Sequence, residues 1–120
     1  MKYTFFCYAR WQTCRKAKAW LDDKGITYEF RDIKQDPPTV QELSGLIKRG
    51  THPLKAFFNT RGQSYRELKL KDRLPTLTEQ EQIELLAGDG MLIKRPLLIG
   101  PEQVLIGFKE DEWETMLTKN

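Results

Sequence analysis

Tyr3-Thr4-Phe5-Phe6-Cys7-Tyr8, followed shortly by Cys14-Arg15-Lys16-Ala17-Lys18-Ala19-Trp20-Leu21-Asp22-Asp23-Lys24-Gly25, is the stretch whose reading decides the fold. The first run is short, aromatic and apolar on both alternating faces, the pattern of a central strand covered by helices on either side. In the second the period changes. Cys14, Ala17 and Leu21 recur at spacings of three and four with Trp20 beside them, while the charged residues fall largely on the other side. This predicts an amphipathic helix that ends at Gly25, with Thr13 as its cap and Cys14 in its first turn. Tyr28 to Ile33 alternates again and reads as a second strand, which completes a βαβ unit with a right-handed crossover.

The middle of the chain reads as helical. Thr39-Val40-Gln41-Glu42 and Thr78-Glu79-Gln80-Glu81 both have the capping-box spacing, in which hydroxyl and carboxylate each satisfy a backbone donor. Val40, Leu43, Leu46 and Ile47 form the buried stripe of the first of these helices, and Ile83, Leu86 and Ala87 that of the second. Gly50 and Gly88-Asp89-Gly90 stop them. Leu54, Phe57 and Phe58 predict a short helical piece, and Tyr65 with Leu68 another. Pro96-Leu97-Leu98-Ile99 then reads as a strand, Gly100 to Gln103 as a turn, and Val104 to Phe108 as the hairpin partner. A final helix carries Asp111, Glu112, Trp113, Met116 and Leu117, with acids at its positive end and Lys119 at its negative end. The expected fold class is α/β: a four-stranded mixed sheet in the order β-α-β, helical insertion at about 37–92, β-β-α, within one domain spanning residues 1–120.

Composition narrows the function. The 120 residues carry 20 Lys+Arg and 17 Asp+Glu, a net charge of +3. Residues 1–60 hold eleven basic and six acidic groups, a net +5, and the remainder is −2. That imbalance favours small anions or an acidic partner surface and falls short of the dense basic stripe of a nucleic-acid binder. No direct nucleic-acid contact is expected. Apolar runs are far shorter than the roughly 20 residues that cross a bilayer, and the aromatic start does not read as a signal peptide, so no membrane contact and a cytoplasmic location are expected. Two cysteines and one histidine, His52 in a loop, cannot build a conventional zinc site, and no metal is expected.

Cys14 is the candidate reactive residue. A thiol in a first helical turn sits at the positive end of the peptide dipoles, and Arg10, Arg15, Lys16 and Lys18 add positive potential, which favours the thiolate. The alternative is a small apolar residue that packs helix on sheet. Cys7, mid-strand, reads as core. No Cys7–Cys14 disulfide is expected, because a continuing strand plus a loop would hold the α carbons beyond the reach of about 7 Å that a disulfide needs. Trp11 reads either as an exposed lid or partner contact or as a residue packed on the helix.

Four blocks resemble one family. They are Arg10-Trp11-Gln12-Thr13-Cys14-Arg15-Lys16-Ala17, Phe58-Asn59-Thr60-Arg61-Gly62 with Tyr65-Arg66-Glu67-Leu68, Asp89-Gly90-Met91-Leu92-Ile93-Lys94-Arg95-Pro96-Leu97, and Ile106-Gly107-Phe108. In this order and spacing they resemble the arsenate reductase family, which includes Spx-type transcription regulators. The resemblance covers nearly the whole chain. It implies a thioredoxin-like fold, a cis-proline at Pro96, and an anion-holding role for Arg95. A second reductase arginine aligns with Asn59, which could still donate hydrogen bonds or serve as a turn residue. The reductase nucleophile aligns with Trp11, and an indole is no thiolate, so attack on arsenate by a leading cysteine does not carry over.

Two functions follow from this resemblance. One is a thiol oxidoreductase with Cys14 as its redox thiol, a small anionic or thiol substrate bound by Arg95, Asn59, Arg10 and Trp11, and no bound cofactor. Glutathione would be its co-substrate and glutaredoxin a partner. The other is an Spx-like regulator that binds RNA polymerase, with a degenerate redox site.

Overall fold

The computed structural model describes residues 3–118, with the side chain of Thr118 left aside. In chain order the elements are β1 (Tyr3–Cys7), α1 (Gln12–Asp23), β2 (Tyr28–Asp32), α2 (Val40–Lys48), α3 (Gln63–Glu67), α4 (Leu70–Arg73), α5 (Glu79–Gly88), β3 (Leu97–Ile99), β4 (Val104–Ile106) and α6 (Glu110–Thr118). Short 3-10 turns occupy Leu54–Phe57, Leu74–Thr76 and Gly90–Leu92. Two compact units result: residues up to Arg31 together with those from Arg95 onward, and residues 32–94.

The first unit holds the sheet, in strand order β2-β1-β3-β4. β3 runs antiparallel to β1, with Phe5 opposite Leu98, and antiparallel to β4, with Leu98 opposite Leu105. Tyr3, Phe5 and Cys7 of β1 share one core with Cys14, Ala17, Trp20 and Leu21 of α1, Leu98, Leu105 and Trp113 of α6. The rings of Trp20, Phe108 and Trp113 meet edge to face, and the Trp113 indole N–H donates to the Gly107 carbonyl at 3.0 Å. A tryptophan can therefore be fully buried here without an unsatisfied polar atom. Phe6, also buried, carries the Arg31 guanidinium 4.5 Å from its ring centroid.

The second unit is helical. α2 packs on α5, and Ile33, Leu43, Leu46, Phe57, Phe58, Leu70, Ile83, Leu86, Leu92 and Ile93 are its buried apolar residues. Both capping boxes are present as read: the Thr39 hydroxyl accepts from Glu42 N–H while Glu42 accepts from Thr39 N–H, and Thr78 and Glu81 do the same. Gly90 is required by close approach, because a Cβ there would run into the Ile33 carbonyl.

Several local expectations are corrected. Thr13 lies inside α1, whose N-cap is Trp11. β4 stops at Ile106, because Gly107 adopts φ +79 and turns the chain, and β2 stops at Asp32. Val40 and Ile47 are half-buried, and only Leu43 and Leu46 of that stripe are sealed. α4 was not visible in the pattern, since its four residues are too few to show a period. His52 is half-buried with its ring edge-on to Phe57. Lys119 lies outside the described residues. Among the described residues, no helix is long and apolar enough to cross a membrane, and no cluster of three or more His, Cys, Asp or Glu could hold a metal.

Candidate functional site

The site forms where β1 hands over to α1. After Cys7 the chain turns tightly, with Trp11 N–H donating to the Tyr8 carbonyl at 2.9 Å, and α1 then runs back along the strand it has just left. The reversal sets the third helical residue above the strand end. Cys7 and Cys14 are consequently 5.8 Å apart at their α carbons, inside the usual disulfide range, and their sulfurs are bonded. The expectation of no bridge is overturned, because the turn is far tighter than a strand plus an open loop. Cys7 is 0% and Cys14 2% exposed, and Tyr8 N–H donates to Cys14 Sγ at 3.1 Å. With a sequence separation of 7, the bridge closes a short loop worth about 2–3 kcal/mol of chain entropy. Thiolate chemistry at Cys14 thus requires the bridge to open first.

The helix start itself is held by Trp11, in an extended conformation, 39% exposed and making no side-chain cap hydrogen bond. Its indole lies against Arg95, whose Cζ is 5.0 Å from the ring centroid, a cation–π contact. Burial pushes the Arg95 guanidinium below its ordinary value, and Tyr8 works in the opposite direction. A guanidinium starts so far above neutrality that it keeps its charge. Pro96 follows on a cis peptide bond and accepts from Gly107 N–H at 2.8 Å. The structure therefore brings Trp11 and Arg95 together, with Pro96 adjacent, and joins Cys14 to Cys7.

Arg10 is exposed, as are Arg15 and Lys16, and the first turn of α1 holds no acid. Asn59 belongs to the helical unit, where its N–H donates to the Leu92 carbonyl at 2.7 Å and its carbonyl accepts from Gly62 N–H at 3.1 Å. Beside Cys14 lies a hollow of about 130 Å³ lined by Phe5, Ala9, Cys14, Arg15, Lys18 and Phe30. Sequence reading missed both the hollow and the role of Cys7. Only the spacing of seven between the cysteines, combined with a tight strand-to-helix reversal, could have signalled the bridge.

A mixed four-stranded sheet, a cysteine in the first turn of the helix after β1 and an arginine before a cis-proline define a thioredoxin-like α/β protein. More narrowly, the chain belongs to the ArsC family, whose model matches residues 6–116. It is 50% identical to the uncharacterised protein YusI of Bacillus subtilis over 95% of this chain and 97% of that one. A solved structure of a Streptococcus mutans protein described as a possible arsenate reductase superimposes with a TM-score of 0.85, at 44% identity over 93% of this chain and 97% of that one. The regulatory protein MgsR of Bacillus subtilis is 30% identical over 91% of this chain and 85% of its own length.

Proposed function

We propose that this chain is a partner-binding member of the ArsC family that docks on RNA polymerase in the cytoplasm through the Trp11–Arg95 face, rather than an arsenate reductase. The observation that carries this reading is the indole at the helix start, stacked on the arginine that would otherwise hold an oxyanion. No thiol stands where a nucleophile would begin the helix, and both cysteines are tied to each other in the core. A half-exposed tryptophan beside an arginine is the composition of an interface anchor. Exposed Arg10, Arg15 and Lys16 make the surrounding rim cationic and suit it to an acidic partner surface. The likeness to a regulatory relative supports the same direction.

The test pairs two measurements on the purified chain. Arsenate supplied with glutathione and glutaredoxin should give no turnover above a Cys14→Ser control. Core RNA polymerase immobilised on a sensor should retain the wild-type chain and lose it on Trp11→Ala. Arsenate turnover that depends on Cys14, or retention indifferent to Trp11, overturns the reading.

A further inference from the structure

We propose that Cys7–Cys14 is a reversible redox couple opened by a small anionic thiol that reaches Cys14 through the hollow beside Phe30. The couple stands on its own observations, whether or not the Trp11 face docks a partner. A disulfide sealed in a core on all sides would be a fixed staple, but this one is not enclosed symmetrically. Cys14 borders the hollow and Cys7 does not. The floor is apolar, made by Phe5, Ala9 and Phe30, and Phe30 is itself 40% exposed on edge strand β2. The cations in the lining come from one helix face, Arg15 and Lys18. Lys18 is shared with Asp22 at 2.9 Å, and Arg15 Nε donates to the Ala9 carbonyl at 3.2 Å, which holds its guanidinium beside the opening. Arg15 and Lys18 therefore line the hollow with their aliphatic stems, and with Lys18 paired to Asp22 it is the Arg15 charge beside the opening that favours a thiol bearing a carboxylate.

The chemistry balances without a further reactant. The thiolate of the incoming molecule attacks Cys14 Sγ, the bond to Cys7 breaks, and Cys7 leaves as a thiolate that takes a proton from water. A second thiolate then attacks the incoming molecule's sulfur in the mixed disulfide. Cys14 leaves as a thiolate, and the small thiol departs as its own disulfide, having supplied two electrons. Cys14 is suited to that last departure. It is the third residue of α1, facing the positive end of the peptide dipoles, and Tyr8 N–H already points at its sulfur. The reverse path needs only the oxidised small thiol, which takes the two electrons back and restores the bridge.

The experiment uses the full chain purified without reductant. Free thiols are trapped by iodoacetamide and counted by mass spectrometry during incubation with glutathione, or with neutral β-mercaptoethanol at equal thiolate concentration. Two thiols should appear in the native protein and vanish again on addition of oxidised glutathione. Arg15→Gln, a surface change checked by circular dichroism, should slow the glutathione reaction about tenfold and the β-mercaptoethanol reaction, whose thiolate carries one negative charge against glutathione's net two, by a clearly smaller factor. Thiols that appear only after denaturation overturn the couple, as does alkylation of both cysteines before any reductant is added. Equal glutathione rates for wild type and Arg15→Gln overturn the route through the hollow.

Discussion

The start of α1 and the starts of α2 and α5 meet the same physical problem in opposite ways. Each helix begins with backbone N–H groups that have no partner inside the helix. α2 and α5 answer with Thr39 and Thr78, whose capping boxes satisfy two donors apiece, and with acids in the first turn that complement the dipole. α1 does neither: its cap is an indole without a side-chain hydrogen bond, its first turn has no acid, and cations flank it. α2 and α5 are thus capped, whereas the short α3 and α4, like α1, have no side-chain cap. At α1 the positive end has no side-chain cap, and an aromatic–arginine pair and a disulfide lie beside it.

The comparison can be broken most directly at Trp11. Trp11→Ala should weaken polymerase binding about thirtyfold, roughly 2 kcal/mol, as for an interface anchor, while leaving the urea midpoint close to wild type. An unchanged affinity would make the indole a packing residue. Next in size is the loss of a true cap. Thr78→Ala should cost about 1 kcal/mol of stability in urea unfolding, with no effect on binding. A smaller change runs the other way: Trp11→Asn gives α1 the cap it lacks and should raise stability by about 0.5 kcal/mol even as binding falls. A stability loss there would show that the Trp11–Arg95 stack matters more to the fold than a cap does.

The smallest effect lies on the exposed face of α1. The hydrogen bond from Lys18, then that from Tyr28, holds the Asp22 carboxyl below its ordinary value, and the Asp22 hydrogen bond raises Lys18 in turn. For Asp22 the linked stability is present above the unfolded carboxylate value of about 3.9 and is lost as pH falls through the lower folded value. For Lys18 it is present at lower pH and is lost as pH rises through the raised folded value. Both groups are exposed and solvent-screened, so the stability change should be slight. Carboxyl-detected NMR should nonetheless show Asp22 titrating below an ordinary aspartate and returning toward it in Lys18→Ala.

How far the residues disclosed this arrangement depends on the range of the interaction. β1 was legible because both of its faces are apolar, α1 because Cys14, Ala17, Trp20 and Leu21 share one face, and the two capping boxes because their partners stand three residues apart. The Thr13 cap was misread because the helix starts two residues earlier than the pattern suggests, on a tryptophan that local rules do not favour. Of the candidate site, the identities of Cys14, Trp11, Arg95 and Pro96 were legible from the family blocks. Their pairings were not.

The sequence by itself determined most of the helices and strands, α4 excepted, which faces are apolar, and that no thiol begins the first helix, because periodicity and residue chemistry act over a few neighbouring positions. Only the tertiary structure decided that Cys14 bonds to Cys7 and that Trp11 lies on Arg95. The first depends on how sharply the chain reverses after β1. The second joins residues from the two separate stretches of chain that make up the first unit. No local pattern encodes either distance, since both arise from packing α1, β1 and β3 around one shared core.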